Sequence, residues 1–216
     1  MLQITFSTTS YFCRDRTCRL SPPMPAMARM PGWLKPVLET ARDPFLENLG
    51  GGFLEAHGMG YVIPAPIDFR IDKEENSEDP DMPIYPQRLA KDIPKDQYEG
   101  WAPFPTIHGS RQFPGAPWEK EGALKLRGFW YFETPPGYSC LFIPPPSRSV
   151  NDLPLVALPG IVETDRYRNL INFPMVPQRE FPFVVREGTP LIQVIPFKRA
   201  DWVAEIGMID EQEGDG

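Results

Sequence analysis

Histidine is nearly absent: His57 and His108 are the only two in 216 residues. Neither belongs to an H-x-x-x-H or H-x-D pattern, and one chain with two histidines cannot build a three-histidine metal centre. Both read as polar loop residues. Cysteine is also scarce. Cys13, Cys18 and Cys140 are an odd set, too few for a disulfide framework or a four-ligand zinc site, which points to reduced thiols in a cytosolic setting or a virion. No apolar run approaches the ~18 residues of a membrane span. The start, MLQITFSTTSYFCRDRTCRL, lacks the continuous apolar centre of a secretory signal. Lysine and arginine form no stripe, and the net charge is −7. A nucleic-acid backbone therefore has no evident footprint to dock on.

Proline, in contrast, is abundant, with 28 residues. It lacks an N–H and fixes φ, so helix interiors and central strands exclude it. The chain therefore reads as short strands, turns and long loops: an all-β protein, β-clip-like or a sandwich or barrel, with a short N-terminal helix. Residues 1–32 read as a flexible arm, in which Met24, Met27 and Met30 offer later starts. Residues 33–203 read as a single β domain with a proline- and aromatic-rich insertion at 73–123, and 204–216 as an acidic tail.

Within the domain, Leu34, Val37, Leu38 and Ala41 have helical spacing. The triple glycine Gly50–Gly52 reads as the stop for any helix before it. Tyr61–Ile63 and the alternating Ile67, Phe69, Ile71 read as two strand pieces. DKEENSEDPDMP reads as an exposed loop. ALKLRGFWYFETPPG reads as a strand running into a turn at Pro135-Pro136-Gly137, and the stretch from Phe129 to Trp202 reads as three apolar runs cut by proline and glycine.

The residue types that carry chemistry gather at Glu163-Thr164-Asp165-Arg166-Tyr167-Arg168. On a strand, Glu163, Asp165 and Tyr167 would share a face able to hold a water against a carboxylate and stack a ring. As a turn or edge, the same residues would only neutralise one another. Cys140, in an apolar run, reads as a small core residue.

ETPPGYSCLF (133–142), PGIVETDRY (159–167), LINFPM (170–175), REGTPLIQVIPFKR (186–199) and YVIPAPIDF (61–69) together resemble a phage and bacterial family of unknown function. The likeness spans about residues 35–202. More remotely, the same pieces resemble the β-clip dUTPases and dCTP deaminases. That likeness implies Glu163 or Asp165 as a catalytic base, and Tyr167 as a stacking ring. Arg148, Arg166 and Arg168 would meet phosphates, Asn172 and Gln193 would fall at matching ligand-binding positions, and Mg²⁺ would be the cofactor. The chain departs from the pattern in four places: Glu163 takes the slot of the dUTPase aspartate with one extra residue before Tyr167, Asn172 stands where a deaminase has its proton-transferring glutamate, Ser147-Arg148-Ser149 lacks a preceding glycine, and no glycine-rich lid is present toward the C-terminus. Two expectations result. The first is a non-catalytic, homo-oligomeric phage-type structural or interaction protein, such as a trimer, without cofactor or metal, whose partners are other virion or phage proteins. The alternative is a nucleotide-handling enzyme of the dUTPase or deaminase type.

Overall fold

The computed structural model describes residues 2–8, 21–30, 32, 34, 51–66, 69–71, 87–89, 106–108, 114–116, 123–146 and 153–207. Its strands in chain order are β1 (Thr5–Ser7), β2 (Met24–Pro25), β3 (Tyr61–Pro64), β4 (Phe69–Ile71), β5 (Gln87–Leu89), β6 (Thr106–His108) and β7 (Ala123–Arg127). They continue with β8 (Tyr131–Glu133), β9 (Tyr138–Ile143), β10 (Leu155–Ala157), β11 (Gly160–Val162), β12 (Asn172–Pro177), β13 (Phe183–Val185) and β14 (Pro190–Lys198). One α-helix, α1 (Gly51–Gly58), stands among the described residues. The protein is mostly β, as its proline content implies.

Among the described residues all pairings are antiparallel, in four open sheets ordered β1-β8, β10-β12-β7-β6, β11-β9-β14-β3-β2 and β13-β4-β5. β14 is the spine. It pairs with β3 on one side, up to Val194↔Tyr61, and with β9 on the other, through Lys198↔Tyr138. Pro196 lies past the last β3 pair, where only β9 remains alongside, a position in which a missing N–H is tolerated.

The core lies where the sheets face one another. A chain of rings crosses it: Tyr61 meets Phe6 at 4.9 Å, Phe6 meets Phe132 at 5.4 Å, Phe132 meets Phe142 at 5.3 Å and Phe142 meets Phe173 at 5.4 Å. The Phe132–Phe142 pair is edge-to-face, the arrangement the ring quadrupoles favour.

Several local readings change. Residues 2–8 and 21–30, read as a loose arm, carry β1 on β8 and β2 on β3, because Phe6 has a place in the ring chain and Ala26 and Met30 are buried. The stretch ALKLRGFWYFE is two strands, β7 and β8, broken at 128–130. Gly51 and Gly52 lie in the first turn of a helix, while any helix before them falls outside the described residues. Propensity argues against helix there, so tertiary docking must hold it. The last turn of α1 is fastened to β14 by Gln193, whose Nε2 donates to the carbonyls of Ala56 and Met59, both at 2.8 Å. Gly60 comes next with φ +72°, the left-handed residue that ends many helices. A Cβ there would strike the Val194 carbonyl, so only glycine lets the helix end approach β14 this closely. The helical spacing at 37–41, the acidic loop and the aromatics of the insertion, Trp101, Phe104, Phe113 and Trp118, fall outside the described residues.

No helix among the described residues is long and apolar enough to cross a membrane.

Candidate functional site

The cluster at 163–168 is a turn. β11 ends at Val162, and the Glu163 carbonyl accepts from the N–H groups of Arg166 (2.9 Å) and Tyr167 (2.8 Å). The face that Glu163, Asp165 and Tyr167 would share on a strand therefore does not exist. The alternation of residue types suggests a strand, but hydroxyl and carboxylate contacts to distant residues override it.

Two of those contacts turn inward. Thr164 is fully buried; its Oγ1 lies 2.7 Å from Thr134 Oγ1 and 3.4 Å from Cys140 Sγ. Cys140 is the core residue its sequence context implies, and burial pushes its thiol above the ordinary value against the Thr164 hydrogen bond. The Asp165 side chain is 6% exposed and is gripped by Arg199 through Oδ1 at 2.9 Å and Oδ2 at 2.5 Å. It also accepts the Gly137 N–H at 2.8 Å. Arg199 in turn donates to the Tyr138 carbonyl (2.8 Å) and Ser139 Oγ (2.9 Å), and its own N–H reaches the Gly137 carbonyl at 2.9 Å.

Gly137 can serve this knot because it sits in a type II turn. Its φ is +85°, Pro136 precedes it, and the Tyr138 N–H reaches the Pro135 carbonyl at 3.2 Å. The knot joins three places: the Pro135–Tyr138 turn, the turn after β11 and the end of β14. Bidentate guanidinium–carboxylate pairing of this kind is directional as well as strong.

The other members of the cluster face solvent. Arg166 meets Glu163 at 3.1 Å and Arg168 meets Glu133 at 2.7 Å, each pair more than half exposed. Such pairs contribute roughly 0–1 kcal/mol. Tyr167 Oη lies 3.5 Å from the Leu170 carbonyl. Asn172 is exposed at the start of β12, opposite Arg127. Gln193, placed by resemblance at a ligand, is 1% exposed and belongs to the α1–β14 junction. Arg148 lies outside the described residues, as do Ser147, Ser149, Cys13 and Cys18. The structure thus brings Glu163, Asp165, Arg166, Tyr167 and Arg168 into one turn, whereas the Gln193 amide bonds the end of α1. Sequence reasoning missed Arg199, which holds Asp165 from 34 residues away. The only signal was an arginine just past the run PLIQVIPF.

His57 is not a loop residue. It lies in α1, 5% exposed, with Nδ1 2.7 Å from the Phe53 carbonyl. His108 lies on β6. Among the described residues no group of three or more His, Cys, Asp or Glu is placed to hold a metal ion. An apolar cleft among the described residues, lined by Ile63, Pro64, Leu126, Trp130, Phe173 and Leu191, shares no residue with the 163–168 turn and has no titratable lining group.

Arg199, by hydrogen bonding to it, holds the Asp165 carboxyl well below the usual carboxylate range, and the Gly137 N–H adds to this. A depressed folded-state value means that the knot's contribution is fully present above the ordinary carboxylate value of about 3.9 and is lost as pH falls below it. Asp165→Asn is therefore expected to melt lower than the wild type at neutral pH. The gap in Tm should narrow as pH is taken from about 6 to about 3. A gap independent of pH would show that the carboxylate charge is not what the knot uses.

No protein-family model matches the chain, and no curated protein matches it. The resemblance to a family of unknown function thus has no family model behind it. Two solved structures of the dUTPase from phage phi11 of S. aureus are similar to part of the chain, each at 16% identity. One, of a variant described as revealing the coordination of a structural Mg(II) ion, has a TM-score of 0.28 and covers 41% of this chain and 72% of that one. The other, described as visualizing the species-specific insert, has a TM-score of 0.27 and covers 43% and 73%. Likeness of this degree carries no inference about activity.

Proposed function

We propose that this chain is a non-catalytic, homo-oligomeric β protein with a structural or interaction role, of the kind that serves in a virion or its assembly. One observation carries the reading: Asp165 is engaged on both oxygens by Arg199 and on one of them by the Gly137 N–H. A general base must be free to accept a proton and must reach a water or substrate. Asp165 is held as an anion, and its lone pairs point into a strut between three chain segments. Glu163, the other acid, stands on an exposed turn beside Arg166, where solvent screens it.

The test has two arms. Thermal shift and product release are measured across a panel of nucleoside triphosphates, dUTP and dCTP included, with Mg²⁺. Oligomeric state is measured by sedimentation velocity. The expected result is no shift and no turnover from any nucleotide, with an assembly larger than one chain. Turnover that disappears in Glu163→Gln would overturn the non-catalytic reading, and a chain that stays single at all concentrations would overturn the oligomeric one.

A further inference from the structure

Three of the chain's eight methionines, Met24, Met27 and Met30, recur at three-residue intervals. The segment that carries them makes a single 3-10 turn at Ala26–Arg29, whose period puts Met27 and Met30 on one side. Both reach the last residue of α1. A Cβ at Gly58 would come within 2.7 Å of the Met27 methyl and 3.1 Å of the Met30 methyl, so the two thioether tips fill the room that glycine leaves.

Residues 21–30 thus form a strap, with β2 lying along the side of β3 away from β14. Backbone pairing holds it lightly. The ladder is two residues long, Met24↔Val62 and Pro25↔Tyr61, and the proline brings no N–H. The Ala26 N–H adds one bond to the Gly60 carbonyl at 3.0 Å. At the far end Ser21 Oγ donates to Glu187 at 3.0 Å, on the surface. Much of the hold therefore falls to side-chain burial next to α1, where Ala26 is 1% and Met30 5% exposed.

The three sulfurs differ in their access to an oxidant. Met30 is shielded by that burial. Met24 Sδ accepts from Arg29 Nε at 2.6 Å, which occupies a lone pair that an oxidant would need. Met27 is 53% exposed while its methyl still packs on Gly58. It is reachable from solvent and part of the joint at once. We infer that Met27 is the trigger of an oxidation-sensitive latch, in which its conversion to the sulfoxide by a peroxide lifts the strap from Gly58 and bares the β3 edge. In that step the sulfur lone pair attacks one peroxide oxygen and the O–O bond breaks. That oxygen stays on sulfur and the other leaves as water, so sulfur gives up the two electrons that the peroxide gains. A polar sulfoxide replaces an apolar tip and disrupts the contact it made. Met30 is then uncovered and oxidises in turn, which keeps the strap off. The backbone groups of Tyr61 and Val62 lose their partners, leaving an open strand edge.

Graded hydrogen peroxide on the full chain tests this, with peptide mass spectrometry reading the sulfoxide at each methionine and hydrogen exchange reading the strap. Met27 should oxidise first and Met30 only after it. Exchange over residues 24–30 and at Tyr61–Val62 should rise about tenfold or more. Met27→Leu keeps an apolar tip that cannot take oxygen. At the dose that oxidises both residues of the wild type, this variant should keep Met30 reduced and its exchange unchanged. Met27→Gln, polar and of similar length, should raise the same exchange without peroxide. Met59 is 47% exposed and joins the α1 end through its backbone, its carbonyl accepting from Gln193. Met59→Leu should therefore leave the response intact. Met30 oxidising as fast in Met27→Leu as in the wild type would overturn the latch. So would unchanged strap exchange once Met27 is fully converted, or loss of the response in Met59→Leu.

Discussion

Gln193→Leu is expected to destabilise the protein by roughly 1–3 kcal/mol, because it removes both hydrogen bonds that a buried amide makes to the part-buried helix end. The side chain is 1% exposed and its Nε2 serves Ala56 and Met59 at 2.8 Å. Helix ends leave carbonyls without intrahelical partners, and α1 has used a distant amide to satisfy them. Leucine keeps the volume and removes both donors, so the loss isolates the hydrogen bonds rather than the packing. For a chain of this size the drop corresponds to roughly 2–4 °C in Tm per kcal/mol. Hydrogen exchange should locate the damage in residues 51–60, the segment whose end Gln193 fastens. A Tm within error of the wild type would mean that water replaces the amide at no cost and that the junction is not what holds α1.

Phe142→Ala is expected to cost about 3–5 kcal/mol, the range for emptying a buried aromatic site. Phe142 is 3% exposed and stands between Phe132 of β8 and Phe173 of β12, so it links the sheets built on β14 and on β12. Phe142→Leu should retain most of the apolar contact and lose mainly the edge-to-face pairing, about 0.5–1.5 kcal/mol. Chemical denaturation of the two variants measures the difference. Equal losses in both would show that ring geometry, not volume, is what the site requires.

Much of the architecture was legible in the residues. Proline frequency alone excludes helical and doubly wound folds, and the Pro135-Pro136-Gly137 turn comes from fixed φ at one position and left-handed freedom at the next. Strands β3 and β9 stand where the apolar runs place them. The cluster at 163–168 was visible as a concentration of chemistry, but its conformation was not. Alternation of residue types carries no information on whether Thr164 will find Thr134, or Asp165 will find Arg199. The helix at the triple glycine was hidden for the same reason. Its local preference is poor, and its support comes from Gln193, 134 residues beyond Met59. Each failure is a case of long-range pairing overruling local tendency.

The second ring of the chain through the core comes from the segment before the first of the later methionines. Phe6 sits edge-on between Tyr61 and Phe132. Protease trimming to Met24 would yield a polypeptide that still contains β2 through β14 but has lost the ring that joins Tyr61 to Phe132. Such a shortened form would leave β8 without its β1 partner and expose ring faces that Phe6 now covers.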